Sequence, residues 1–448
     1  MAYVSSVPIV DTSYSMTHNG YVAQTVIDTK AFLRLLKEGD KVGVVAFGEN
    51  AYDVYSDRGK LATVDSSLTV TANAAAAVDR LTFNGDWTAI GRGLAWARTF
   101  LDSAALPKAC VLLTDGYQNN GPSPLDGLPN YPVMACAMGP ESDKALLSEI
   151  ARRTGGEFFY VPRAADMMKV YNTIRAKSAT AALLANQLND IPSNDYQLIP
   201  ATVSHTPGGA QISAVWSDGG IAYTRGSPSG NQLSVTLVDP SGSTSPLNPT
   251  VVGNGFVIYN VDNPAPGLWQ IQLEFAGRGQ TINCTGGALQ YPSSTRNALP
   301  GPKLHVQVPR TIAAGQRLPI DVRLTEDGGV LTNVRAHAAV IAPIISLQDA
   351  LAKYDDRLGS VELSVSDLAH GMPEPLARLA VLRAKLLPDE DILGHRRFVV
   401  HLHDGHERLA AEFDAKVAGA YTIQVEVSGD SSVSGPFQRV DLVSIIAS

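Results

Sequence analysis

Val7-Pro8-Ile9-Val10-Asp11-Thr12-Ser13-Tyr14-Ser15 decides the fold of the first part of this chain. An apolar run ends abruptly in side-chain oxygens. Two further pieces complete the pattern. Asp86-Trp87-Thr88-Ala89-Ile90-Gly91 leads into a helical segment, and Cys110-Val111-Leu112-Leu113-Thr114-Asp115-Gly116 is a second buried strand closed by an acid. In open parallel sheets, ligands bind beyond the carboxyl ends of strands, where the strand order reverses. A hard divalent cation takes oxygen ligands in near-octahedral geometry, and hydroxyls mixed with few carboxylates supply them without saturating its charge. Such a cation keeps a positive face for an outside ligand. The competing reading is that Asp11 and Ser13 cap the next helix and that Asp115-Gly116 is a turn.

The order D-x-S-x-S, then Thr, then Asp resembles the metal-ion-dependent adhesion site of von Willebrand factor A domains, over roughly residues 1–180. The resemblance implies a doubly wound, mostly parallel α/β sheet. It implies that Ser13, Ser15 and Thr88 offer hydroxyl oxygens to a metal and that Asp11 and Asp115 bind it directly or through water. An exposed Asp or Glu of a protein partner would fill the sixth position. Magnesium is the expected ion, with manganese or calcium as alternatives for the same oxygens. No catalytic residue and no organic cofactor is expected. Tyr14 stands where many members carry Gly, and Asp86-Trp87 precedes Thr88 where small residues are frequent. With Tyr117 these departures would place three aromatics around the metal, as a rim or as ordinary loop packing, with Asp86 as a further acid outside the ligand set.

The 448 residues suggest about three domains, and a hydrophobic content of 45% supports real cores. With 17% charged residues and a net charge of -8, the chain advertises no basic face for nucleic acid or anionic lipid. No basic-then-apolar leader is visible and no stretch approaches the length of a membrane span, so the expectation is a cytoplasmic protein without direct membrane insertion. A mature form with its leader removed, or a misassigned start, would read the same way. Cys110, Cys136 and Cys284 are an odd, sparse set that reads as free core thiols.

Strand and helix signals alternate through the first part: a helix at 21–36, a strand at 41–47, an antiparallel edge strand at 51–55, and helices at 72–81 and 90–101. A strand at 132–138, a helix at 144–154, a strand at 157–161 and a last helix at 164–177 complete it. Residues 181–202, rich in Asn, Asp, Pro and Ser, read as an exposed linker that proteases would cut first. Beyond it, short alternating runs predict all-β sandwiches at 203–298 and 299–448, the second carrying a helical insertion at about 346–387. Trp269 reads as a core residue of the first sandwich. An α/β head followed by such sandwiches is similar to the central part of calcium-activated chloride channel regulator proteins and their bacterial relatives. Their protease-like N-terminal part has no counterpart here, so no self-cleavage is implied.

His401-Leu402-His403-Asp404-Gly405-His406 comes close to the H-x-H-x-D-H signature of metallo-β-lactamase-fold hydrolases, but its Asp falls one position early. His401 and His403 would share one strand face, which leaves adventitious zinc binding as the most this run predicts. Three function classes remain. The first is a non-enzymatic, metal-dependent protein-binding module with the α/β unit as its head. The second is a magnesium-dependent phosphatase of haloacid dehalogenase type, which needs a carboxylate where Ser13 stands. The third is a structural protein whose metal only stabilises loops. In the first class, the helix at 164–177 would couple the sandwiches to the metal face.

Overall fold

The structure is a computed structural model that describes residues 3–104, 107–206, 208–293, 301–364, 372–386, 391–405 and 407–448. In chain order the first unit runs β1 (Ser5–Asp11), α1 (Tyr14–His18), α2 (Val22–Arg34), β2 (Lys41–Val42), β3 (Val44–Phe47), β4 (Ala51–Tyr55) and β5 (Ala62–Thr63). It continues through α3 (Thr69–Val78), α4 (Ile90–Leu101), β6 (Lys108–Thr114), β7 (Val133–Met138), α5 (Lys144–Thr154), β8 (Phe158–Val161), a 3-10 turn (Ala164–Asp166) and α6 (Met167–Ser178). The sheet order is β4-β3-β1-β6-β7-β8, with β2 beside β1 and β5 beside β2. It is parallel except where β4 and β5 join it.

β1 is buried along its whole length because it pairs on both sides, with β3 and with β6. That removes the alternation of a one-sided strand and explains why Val7 to Val10 read as a continuous apolar run. The chain goes from β1 to β3 on one side and later to β6 on the other. The order therefore reverses between β1 and β6, and the residues ending these two strands meet at the carboxyl edge. The helices start and stop where local chemistry dictates. Asp143 accepts a hydrogen bond from the Leu146 amide at the start of α5, and Gly155 ends that helix at φ +71°.

Residues 181–202, expected as a linker, are instead the strands β9 (Ala182–Pro192) and β10 (Asp195–Val203), which belong to two different sheets. The polar composition misleads because tertiary partners satisfy it. Asn186 is buried, accepting from Asn172 Nδ2 and donating to the Lys169 carbonyl of α6, while β9 pairs along its length with Thr281–Pro292. Pro192 is tolerated at the end of an edge strand. α6 packs against β9 as well as against its own sheet. Ten of its twelve residues are buried, and Arg175 donates to Asp40 at 2.6 Å and to the Tyr291 hydroxyl at 3.1 Å.

The first sandwich stacks a four-stranded sheet on a five-stranded one around Trp216, Trp269, Phe275 and their aliphatic neighbours. Trp269 is buried, with its indole N–H donated to the Ala265 carbonyl. The second sandwich has two five-stranded sheets. His401 ends the strand Arg396–His401 in one of them and His403 opens His403–Gly405 in the other, so the two histidines do not share a strand face. Leu402 between them is buried and turns the chain from one sheet to the other. His406 lies outside the described residues. The helical insertion contains α7 (Leu347–Lys353), α8 (Asp355–Gly359) and α9 (Glu374–Leu386), held by Ala350, Tyr354, Leu358, Leu379, Leu382, Ile392 and Leu393. Parts of its expected span, 365–371 and 387, fall outside the described residues. The three cysteines are free and buried.

Candidate metal centre

Asp11 sits at the carboxyl end of β1 and Asp115 directly after β6, so neighbouring strands deliver the two acids side by side. Asp11 Oδ1 accepts the Ser13 amide at 2.8 Å, a turn that aims the following hydroxyls back toward the strand end. Ser13 Oγ lies 2.9 Å from Ser15 Oγ, and Ser15 Oγ donates to Asp115 Oδ1 at 2.7 Å. Four of the five expected residues thus form one connected group. Ser13 precedes α1 but makes no side-chain cap, its hydroxyl being turned to Ser15.

Thr88 arrives from a different loop. The Gly85 amide donates to the Thr12 carbonyl at 3.1 Å and the Tyr14 amide to the Gly85 carbonyl at 2.8 Å, which lays the loop before α4 across the Ser13 turn. Thr88 is then fixed by its amide, donated to Asn119 Oδ1 at 2.6 Å. Its Oγ1 would lie only 3.1 Å from a Cβ added at Gly116, so the glycine after Asp115 lets the threonine approach the acid. Exposure is 8% at Ser15 and 1% or less at Asp11, Ser13, Thr88 and Asp115.

Sequence reasoning missed the residues that hold the acids. Thr114 donates to Asp11 Oδ2, and Asn19 Nδ2 donates to Asp115 Oδ2 at 2.7 Å. Thr114 adjoins Asp115, and Asn19 lies four residues beyond Ser15, hence on the same helical face. Among the described residues no lysine or arginine pairs with either carboxylate. Burial pushes the carboxyl of Asp11 up to about 6, against the lowering effect of its hydroxyl and amide donors. It pushes Asp115 up to about 7, helped by the charges of Asp11 and Glu141. Two dehydrated acids facing one another, ringed by hydroxyls, are the donor set of a small hard cation: the residues present fit a divalent ion whose charge would offset both penalties. Clusters of three or more His, Cys, Asp or Glu do not occur among the described residues, and here hydroxyls make up the count.

Each of the three expected rim aromatics is half-buried, while Asp86 is exposed. Tyr14 packs its ring on His18 at 4.5 Å, and Tyr117 lies in the field of Asp143 and Glu141. A cleft of about 830 Å³ lies elsewhere, between α6, β9 and the second sandwich. Within it Asp166 pairs with Arg163 and Lys169, and Asp391 lies 2.9 Å from His395 Nδ1.

The family profile described as von Willebrand factor type A domain matches residues 7–173. No curated protein matches the chain. Among solved structures, the chain is similar to a von Willebrand factor type A protein from Catenulispora acidiphila at 19% identity and TM-score 0.38, covering 74% of this chain and 64% of that one. It is similar to the ArnB paralog VWA2 from Sulfolobus acidocaldarius at 8% identity and TM-score 0.27, with coverage of 74% and 64%. It is similar to the pilus adhesin SpaC from Lactobacillus rhamnosus GG at 11% identity and TM-score 0.32, with coverage of 99% and 56%. The chain therefore spans less than two thirds of each of these proteins. The profile match runs from β1 into α6, the span that contains the reversed strand order and all five oxygen-bearing residues: residues 7–173 are a von Willebrand factor type A domain.

Proposed function

We propose that the chain is a non-enzymatic, metal-dependent protein-binding module. Its first domain holds a divalent cation, magnesium before manganese or calcium, through Asp11, Ser13, Ser15, Thr88 and Asp115. The observation that carries this reading is the convergence of two buried carboxylates and the hydroxyls around them at one sheet edge, with no basic side chain paired to either acid among the described residues. Two negative ligands neutralise a divalent ion without overcompensating it. When bound, the cation supplies Lewis acidity toward an incoming carboxylate, and the protein's own residues leave that position to the partner's Asp or Glu. Ser13, where a phosphatase of the haloacid dehalogenase type needs its second acid, favours binding over hydrolysis. The sandwiches then serve as spacer or as further contact surface, an arrangement similar to calcium-activated chloride channel regulators. No described helix is long and apolar enough to cross a membrane.

Calorimetric titration of Mg2+ into the parent, Asp11→Ala and Asp115→Ala tests the site. The parent should bind one equivalent and each variant should lose at least about tenfold in affinity, the scale of a lost anionic ligand. Parent-like binding by both variants would remove these acids from the site. A short peptide bearing one Asp, titrated with and without Mg2+, then separates the binding function from a purely structural metal, for which the peptide would bind equally poorly in both conditions.

A further inference from the structure

The helical insertion of the second sandwich reaches back to the candidate metal centre. Ala377, Ala380 and Val381 of α9 face Ser15, His18 and Asn19, small side chains allowing the helix to lie close against α1. Arg383 follows Ala380 by three residues and so extends the same stripe. It is buried, and its Nη1 donates to both carboxylate oxygens of Glu141, at 2.9 Å and 2.6 Å. Its Nη2 donates to the Tyr21 hydroxyl at 3.0 Å. Glu141 is 1% exposed on the loop after β7, at the same carboxyl edge of the sheet as Asp11 and Asp115. Tyr21, which accepts the Arg383 bond, donates its amide to the Met16 carbonyl at 3.0 Å, so the ion pair is fixed directly behind the helix turn that carries Ser15.

A third acid therefore stands at the same sheet edge as the two of the candidate site, outside the ligand group itself. With Asp11, Asp115 and Glu141 all ionised, a divalent cation would leave one negative charge over, and an approaching carboxylate would meet net repulsion. Arg383 supplies the missing positive charge. We infer that Arg383, delivered by α9 from the second sandwich, is a positioning residue for the metal centre: it cancels Glu141, so that the bound cation keeps its charge for an outside carboxylate. The inference rests on the metal reading above. It makes the sandwich insertion a working part of the first domain's site.

Charge balance and simple scaffolding predict different patterns of Mg2+ affinity, measured by calorimetry on the full chain. Arg383→Met leaves an extra negative charge near the cation and should bind Mg2+ several-fold tighter. Glu141→Gln leaves an extra positive charge and should bind it several-fold more weakly. The double variant should return to within about twofold of the parent, since the two charges are removed together. Arg383→Lys, which keeps the charge but loses the fork, should stay near the parent. If both single variants shift affinity in the same direction, or neither departs from the parent, the inference fails while the metal site stands. A parent that shows no saturable Mg2+ binding overturns the metal reading and the inference with it. Should Arg383→Met fail to fold, Glu141→Gln carries the test, and unchanged or tighter Mg2+ binding by that variant refutes the inference.

Discussion

Stripped of divalent cation, the first domain should lose stability as pH rises, the reverse of ordinary acid denaturation. Asp11 and Asp115 are wholly buried, and both carboxyls are held above the usual range chiefly by lost hydration, at about 6 and about 7. A native state that holds protons more tightly than the unfolded chain has its full stability below the unfolded pKa, near 4, and loses it as pH climbs through the folded values. At ~1.4 kcal/mol per tenfold change in proton affinity, ionising the pair costs the metal-free fold on the order of a few kcal/mol. A domain of this size shifts by roughly 2–4 °C per kcal/mol, so melting in chelator should fall by roughly 5–10 °C between about pH 4 and about pH 7 and level off above that. Saturating Mg2+ should abolish the fall, because the cation binds the ionised form. Asp115→Asn should flatten the chelator curve and remove most of the Mg2+ effect. A residual slope is expected in that variant, since burial also raises the carboxyl of Asp28 in α2. Scanning calorimetry with and without chelator decides the matter. A flat profile for the chelated parent, or an unchanged slope in Asp115→Asn, would show that these acids are not the strained pair described here.

Limited proteolysis should spare 182–203, since β9 and β10 are hydrogen-bonded into separate sheets; a first cut there, read by mass spectrometry of the fragments, would contradict that pairing. Asp40→Ala should cost about 3–5 kcal/mol in denaturant unfolding, because it strands the buried Arg175 guanidinium that joins α6 to Tyr291; a loss below about 1 kcal/mol would show the pair to be dispensable.

The α/β unit was legible because its signals are local. β1 and β6 announce themselves as apolar runs ended by an acid, and the bounds of α5 follow from Asp143 and Gly155. The five oxygen-bearing residues could be picked out in a similar way, Asp11, Ser13 and Ser15 at and after the end of β1 and Asp115 after β6, while Thr88, from the loop before α4, was found only by its place in the motif. β9 was not legible. Asn186 and Asn189 carry the composition of a loop, and only contact with α6 and pairing with Thr281–Pro292 make a strand of them. The histidine run misled in the same way, because Leu402 takes a core position that moves the chain between sheets.

What surrounds the candidate metal centre divides along the same line. Thr114 and Asn19 stand within a few residues of the motif and could have been inferred from helix and strand periodicity. Arg383 and Glu141 are 242 residues apart, and neither has a neighbour in sequence that hints at the other. Glu141 follows β7 and would pass for an exposed loop acid. Arg383 sits in a helix whose Leu379 and Leu382 already account for its apolar face. Two separate demands had to be met by one helix, packing against α7 and α8 on one side and approaching α1 closely on the other. A buried arginine on the second side is costly unless an acid meets it. The fold therefore places a compensated charge pair beside a site whose own two acids lack a basic partner among the described residues. That contrast, with the close approach of α9 to α1, links the insertion to the candidate metal centre through packing and a buried ion pair.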